Sequence, residues 1–511
     1  MVTLLKRNTI ANLIGSNWPS LMGIVFVPLY IKFMGIESYG LVGLFATVTS
    51  LFSLIDMGMS TTLNREMARM SIHGQEDRGQ RDLVRTLEWI YWGLSLSAGI
   101  IMVVAAPSIA QRWINPKNLS PESVKHALQL MGLIIGLYLP SSFYQGGLMG
   151  MQRQVLMNTA LVVLATVRGL GAVLILWRVS PTIEAFFLWQ AVVSGAQVCI
   201  MMFLLWKCLP RSHGRPRFKR TLLAGVWRYS AYVSGSSVVG VLLAQTDKII
   251  LVKILSLELF GYYTLAWTLA SALWSIIVPI NTALFPQFVQ LHERRDERNL
   301  ANLFHHASQV MSVAVIPIGI LLVLFSKEIL FLWTRNPLIA QDTHMIVSLL
   351  VFGVMLNGVS SVPGYASSAF GWPQLGMYVN IGQAIFLIPA MLLTVPRFGA
   401  EGAAAICVVL NATYLFVMVP IMFQRYLGAE KWKFFLNDIG CPFAGVVVIG
   451  MILLGLFPGG LSSPVTFFYL VGTLLLMILT SIALAPTVRS WLINVLLTLK
   501  FGICSPGGPV R

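Results

Sequence analysis

Three charges stand where this sequence makes charge expensive. Arg168 lies near the middle of the apolar run 156–177, and Asp247 and Lys248 are neighbours inside the run 229–252. A charge at the centre of a membrane helix costs about 2.5–3.5 kcal/mol on insertion scales, so each needs a wet cavity or a partner. A guanidinium or ammonium in such a cavity offers charge-assisted hydrogen bonds to an anion, phosphate oxygens in particular. Arg168 and Lys248 are the first candidates for that role, and Arg153 is the second. Adjacent helical residues point about 100° apart, which predicts that Asp247 and Lys248 turn to partners on other helices rather than to each other. Ser230, Ser234, Ser237, Gln245 and Lys248 share one helical stripe, with Ser236, Gly240 and Asp247 beside it, so a polar face accompanies the charges. Two readings of Arg168 stand at this point: a ligand-facing cation, or a structural arginine paired with Asp247 or Asp56. Asp56, close to Asn64, Arg65 and Arg69, either closes a salt bridge at a helix end or gates.

Hydroxyls and aromatic faces form the second constellation. Asn12, Ser16, Pro19 and Gly23 recur at helical spacing in the first run, which Pro28 also interrupts. Such a helix lines a cavity or packs closely through its small residues. In the run 259–285, Thr264, Thr268, Ser271, Ser275 and Thr282 share a stripe, flanked by Tyr263, Trp267 and Trp274. A sugar hydrogen-bonds through its hydroxyls and lays its C–H faces on rings. Asn12, Ser16, Trp267, Thr268, Ser271 and Trp274 are therefore the candidate glycan contacts, against packing or an interfacial belt for the rings.

The elements that must position these groups are membrane helices. With 57% hydrophobic and 11% charged residues in 511, the chain is an integral membrane protein. Fourteen apolar runs are long enough to cross a hydrocarbon core of about 30 Å as helices: 10–33, 39–60, 86–107, 124–148, 156–177, 183–206, 229–252, 259–285, 306–326, 344–368, 375–394, 400–424, 441–457 and 465–486. Lysine and arginine concentrate on one side of that layout, with five in 61–85 and seven from Lys207 to Arg228. The excess predicts cytoplasmic termini. The same bias explains most of the net charge of +16 without nucleic acid, for which no basic-aromatic domain exists. The five cysteines form no metal-ligand spacing, and neither a metal nor a cofactor is expected. The first run lacks a small-residue cleavage site and should remain as a helix. Residues 490–504 should lie along the inner surface.

The chain also repeats itself. Gly35-Ile-Glu-Ser-Tyr-Gly-Leu41 corresponds to Ser256-Leu-Glu-Leu-Phe-Gly-Tyr262, and Tyr144…Gly150 to Tyr365…Gly371, each at an offset of 221. An even number of spans separates the copies, so both lobes share one orientation. The expected plan is a six-helix lobe over 1–206, a basic linker over 207–228, a second six-helix lobe over 229–424 related by a pseudo-twofold along the membrane normal, and two further helices with a tail over 425–511. Any site should lie between the lobes.

The Asn-bearing first helix, Pro-x-Tyr followed by Gly-x-Glu-x-Tyr-Gly-Leu, Asp-x-Gly after the second run, and Asp247-Lys-Ile-Ile with Glu258-x-Phe-Gly-Tyr-Tyr resemble the polysaccharide transporters of the MOP superfamily. Those are Wzx-type flippases, which move polyprenyl-diphosphate-linked oligosaccharides of the O-antigen or exopolysaccharide kind from the inner to the outer leaflet. The resemblance implies two six-helix bundles that alternate inward and outward, drive from an H+ or Na+ gradient with Asp247 and Asp56 as the acids available, and other glycan-assembly membrane proteins as partners. A lipid II flippase or a MATE-type drug/cation antiporter is the alternative within transporters. A membrane-embedded glycosyltransferase or polymerase is the alternative outside them, and it would want a catalytic loop that this chain does not carry.

Overall fold

In a computed structural model of the chain, residues 2–56, 59–72, 77–210, 216–219 and 240–501 are described. All regular structure among them is helical, with no strand. Eleven helices of the described residues are long and apolar enough to cross a membrane. Their outer faces carry exposed Val163, Leu174, Phe203, Ile385, Leu393 and Phe468, as a hydrocarbon solvent requires. The protein is a multi-pass membrane protein.

Two of the eleven, Asn17–Phe52 and Gln374–Arg425, each contain one glycine off the helical backbone, Gly35 at φ 80° and Gly399 at φ 57°. Residues with a Cβ rarely adopt a positive φ, so glycine marks each break. Both glycines fall where the sequence ends one apolar run and starts the next. The run expected at 229–252 lies largely outside the described residues; 240–254 are helical. The run expected at 259–285 is divided, with Leu257–Ser271 and Trp274–Glu293 separated by a tight turn in which Leu273 N bonds Ala270 O at 3.3 Å.

The chain forms two compact units, Met1–Leu265 with Ile388–Ala400, and Ala266–Leu387 with Glu401–Arg511. In the first, α1 (Val2–Phe52) packs on α5 (Gln154–Arg178), while α4 (Pro121–Gly150) packs on α2 (Met59–Ile72), α3 (Asp77–Arg112) and α6 (Ile183–Cys208). Leu63, Met67, Tyr91, Phe143, Leu148 and Leu205 are its dry centre. The buried Glu88 on α3 accepts from Tyr144 Oη (2.6 Å) on α4 and Trp206 Nε1 (3.2 Å) on α6, and pairs with Arg85 at 2.8 Å. Glu88→Ala strands two buried donors, so a loss of about 1–3 kcal/mol is expected, read as a lower melting temperature in detergent. Within the basic linker, Arg217 N and Lys219 Nζ both reach Asp82 on α3, at 2.8 and 2.7 Å.

The two copies of the repeated motif touch. They follow the Gly35 break and open α8 (Leu257–Ser271), which comes after α7 (240–254). A Cβ on Gly261 would lie 2.3 Å from Ile36 O, and one on Gly40 would lie 2.6 Å from Leu257 O. The glutamates of both copies hold one loop: Glu37 accepts from the backbone N–H groups of Lys117 (2.5 Å) and Asn118 (2.9 Å), and Glu258 pairs with Lys117 Nζ at 3.0 Å. Glu37→Ala removes a carboxylate that satisfies two backbone donors, and faster hydrogen exchange confined to the 113–120 loop is the expected result.

The second unit gathers around α10 (Glu297–Leu324), packed by α9 (Trp274–Glu293), α11 (Ser326–Thr334) and α12 (Pro337–Ala369). After α13 (Gln374–Thr413) and α14 (Val419–Arg425), it continues into α15 (Gly428–Gly455), α16 (Ser463–Leu484) and α17 (Pro486–Phe501). The start of α15 corrects an expectation: the helix begins well before 441. Glu430, Lys431, Lys433 and Asp438 break its apolar pattern, but the chain is helical through them, with a wide π turn at Phe434–Gly440. Asp296 caps α10, accepting from Asn299 Nδ2 at 2.7 Å and Asn299 N at 3.2 Å, and these bonds hold its carboxyl below the usual aspartate range. The lowered value means the cap stabilises fully above the ordinary aspartate range and is lost as pH falls through the lowered one.

Candidate functional site

Arg168 stands at the meeting of two cavities within the first unit. One, of about 540 Å³, is lined by hydroxyl and amide groups from α1, α2, α4 and α6, including Thr49, Ser60, Asn64, Ser141, Ser142 and Gln197. The other, of about 340 Å³, is walled by Met22, Phe26, Tyr30, Phe45 and Phe186. Each falls within the size range of small-molecule sites. Gly169, next to Arg168, lets α1 approach α5: a Cβ there would lie 2.3 Å from the Phe26 ring.

The guanidinium is held by neutral groups. Its Nη2 donates to Gln197 Oε1 at 2.9 Å and to Ser194 Oγ at 3.4 Å, and no salt bridge to Arg168 is found among the described residues. Gln197 Nε2 in turn donates to Ser141 Oγ at 2.8 Å. Neutral groups thus orient the arginine, while Asp247 and Asp56, the carboxylates considered as its partners, bond elsewhere. Asp56 accepts from Ser60 Oγ and Tyr91 Oη, each at 2.6 Å, and Ser60 Oγ lies 3.1 Å from Ser142 Oγ on the cavity wall. Thr49 Oγ1, also lining the cavity, has no hydrogen-bond partner among the described residues. The chamber therefore presents a fixed cation, with a carboxylate one side chain behind the wall.

Asp247 and Lys248 correct the expectation from helical geometry. Lys248 Nζ lies 3.3 Å from Asp247 Oδ1, and it also donates to Ala244 O at 2.9 Å. The 100° offset separates Cβ atoms, but a four-carbon lysine stem is long enough to fold back on its neighbour. Asp247 does find a partner on another helix, accepting from Tyr263 Oη at 2.7 Å. Neither residue lines either cavity, and Ser230, Ser234, Ser236 and Ser237 lie outside the described residues. Arg153 is exposed at the turn between α4 and α5, also away from both cavities.

Among the candidate glycan contacts, Asn12 Oδ1 accepts from Asn158 Nδ2 at 2.7 Å, and a Cβ on Gly15 would overlap the Asn158 side chain. At that level α1 packs closely on α5. The side chain of Ser16 lies outside the described residues. Trp267, Thr268, Ser271 and Trp274 are half-buried and belong to the second unit; Ser271 Oγ donates to Thr268 O at 3.0 Å. Ser141, Ser142, Gln197 and Tyr91 were not singled out from sequence. Pro140-Ser141-Ser142 and the i, i+3 pair Ser194 and Gln197 were the available signals, each too common to stand out.

The family profile described as "Polysaccharide biosynthesis protein" matches residues 5–292, and that of the MatE family matches 241–393. A curated relative, the amylovoran biosynthesis protein AmsL of Erwinia amylovora, is 25% identical over 234 residues, which are 43% of this chain and 57% of that protein. The chain thus spans little more than half the length of that relative. Among solved structures, an inward-facing multidrug resistance MATE transporter of the MOP superfamily superimposes with a TM-score of 0.68 at 14% identity, over 84% of this chain and 99% of the other. The lipid II flippase MurJ in an inward closed conformation gives 0.68 at 12% identity, over 96% and 99%. Those likenesses establish the fold, and the profile covering more than half of the sequence establishes the family: the chain belongs to the polysaccharide biosynthesis proteins and has the fold of the MOP superfamily transporters.

Proposed function

We propose that this protein is a flippase that carries a polyprenyl-diphosphate-linked oligosaccharide from the inner to the outer leaflet by alternating access. The observation that carries the reading is Arg168, a guanidinium bound to neutral groups where a hydroxyl-lined chamber meets an apolar one. A diphosphate entering hydrocarbon unaided loses hydration worth on the order of 20 kcal/mol per charge in the idealised limit, so the rate depends on a wet, cationic passage. In this reading Arg168 takes the diphosphate, and Ser141 and Ser142 face the first sugars. Asp56, bonded to the lining residue Ser60, gates the chamber in answer to an ion gradient. Membership in the polysaccharide biosynthesis family and the likeness to AmsL support a glycan cargo.

The MatE match over 241–393 favours a second reading, export of a drug or organic cation. A cation would meet an uncompensated arginine in the chamber, which opposes it electrostatically. Proteoliposomes separate the two. The flippase reading expects wild-type protein to expose a labelled, short-chain polyprenyl-diphosphate oligosaccharide at the far leaflet and to leave an organic cation dye undistributed. Dye accumulation without lipid movement would overturn it.

A further inference from the structure

The second unit contains a cluster of three titratable groups drawn from two distant stretches of sequence, two of them buried. His305 on α10 is 1% exposed and has a carboxylate at each ring nitrogen: Asp438 Oδ2 lies 2.5 Å from Nδ1, and Glu430 Oε2 lies 2.8 Å from Nε2. Asp438, itself fully buried in the π turn of α15, accepts a further bond from Gln309 Nε2 at 2.8 Å. Gln309 Oε1 accepts from both N and Oγ1 of Thr487, at the start of α17. Glu430 is the outer member, with a side chain 29% exposed and Lys433 Nζ 3.4 Å away.

Proton counting gives this arrangement a meaning. Two contacts of hydrogen-bond length across one imidazole require two protons among three groups, either as an imidazolium between two carboxylates or as a neutral ring with one protonated acid. Removing one proton leaves lone pairs facing across one contact, and that pair must part or let water between them. Asp56, in contrast, accepts from two hydroxyls and needs no proton of its own. We propose that His305, Asp438 and Glu430 form a proton-binding site that fastens the 428–440 segment and the start of α17 to α10. The proton leaves to solution through Glu430, the exposed member, so the Glu430 contact is the one that opens; Asp438 stays held by Gln309 and the remaining ring N–H.

Apart from Lys433 beside Glu430, the other charged and titratable groups around α10 point elsewhere. His306 meets the Trp491 ring edge-on, Arg489 Nη1 donates to Ala483 O, Lys431 lies over the Trp432 ring, His292 stacks on Phe370, Asp296 is taken up by Asn299, and Glu293, Arg294, Arg295, Glu297 and Arg298 are exposed. Lys327, Glu328 and Asp342 belong to α11 and α12, near the opposite end of α10 about 30 Å away at 1.5 Å per residue. Imidazole is the side chain whose charge ordinarily changes near neutrality.

Hydrogen exchange of the full chain in lipid nanodiscs, corrected for intrinsic pH effects, tests the site without reference to any cargo. Between about pH 6 and pH 8.5, wild-type residues 428–433 should lose at least fivefold in protection while α4 and α6 do not change. His305→Gln should abolish that dependence. Glu430→Gln, which can bond the ring without sharing a titrating proton, should keep the segment protected at both pH values and serves if the histidine variant does not fold. Equal wild-type protection across the range, or a dependence that survives in either variant, overturns the proposal.

Discussion

Arg168→Ala should reduce flipping of a polyprenyl-diphosphate oligosaccharide by about 30-fold to several thousandfold while leaving the amount of folded protein nearly unchanged. Losing one member of a buried, hydrogen-bonded charge pair costs about 2–5 kcal/mol, and the anion would then enter the chamber with no cation to meet it. The free protein loses less, because among the described residues the Arg168 guanidinium bonds Gln197 and Ser194, both polar groups at a cavity wall. Arg168→Lys keeps the charge but not the planar fork, so it should fall between alanine and wild type. Gln197→Ala releases the guanidinium and Ser141 without removing charge, and a loss of about tenfold or less is expected. The order Lys above Ala, with Gln197→Ala milder than Arg168→Ala, is read from initial rates at matched protein density.

The second large effect is structural. Gly261→Val and Gly40→Val place a Cβ 2.3 Å from Ile36 O and 2.6 Å from Leu257 O, against backbone that cannot rotate aside like a side chain. Overpacking ordinarily costs about 1–3 kcal/mol, and backbone on the receiving side moves the cost to the upper end or beyond. The folded peak in size-exclusion chromatography should shrink sharply for both variants, and the melting temperature of what remains should fall. Gly93→Ala is the control. It has open space around its missing Cβ and sits within α3, so it should be neutral or gain up to about 1 kcal/mol of helix propensity. If all three behaved alike, close approach of the two motifs would not be what these glycines provide.

Much of this was legible in the chain itself, for reasons that differ by residue. Gly35 and Gly399 announce their breaks because apolar runs stop on either side of them, and the motif pairs at 35–41 and 256–262 carry their likeness in local sequence. Arg168 could be placed in a polar interior because nothing else accommodates a guanidinium at that depth. What sequence could not show is pairing decided by side-chain reach or by distant partners. Lys248 turns back on Asp247 through a flexible stem that helical wheels ignore. His305, Glu430 and Asp438 assemble from α10 and α15, more than a hundred residues apart, with no spacing to mark them. The early start of α15 was hidden for the same reason, since Asp438 reads as a break in a hydropathy window and is satisfied only by α10.

Substrate protection of a single cysteine locates the cargo directly. In a background with the five native cysteines replaced, Ser142→Cys places a thiol on the wall of the Arg168 chamber, and Arg294→Cys places one at an exposed position between two membrane helices. A water-soluble thiol reagent is applied with and without a polyprenyl-diphosphate oligosaccharide. Labelling at position 142 should slow at least fivefold when the lipid-linked sugar is present and should not slow with an uncharged polyprenol, while labelling at 294 stays constant. Unchanged labelling at 142 in vesicles that flip the same lipid would contradict passage of the anionic head through this chamber.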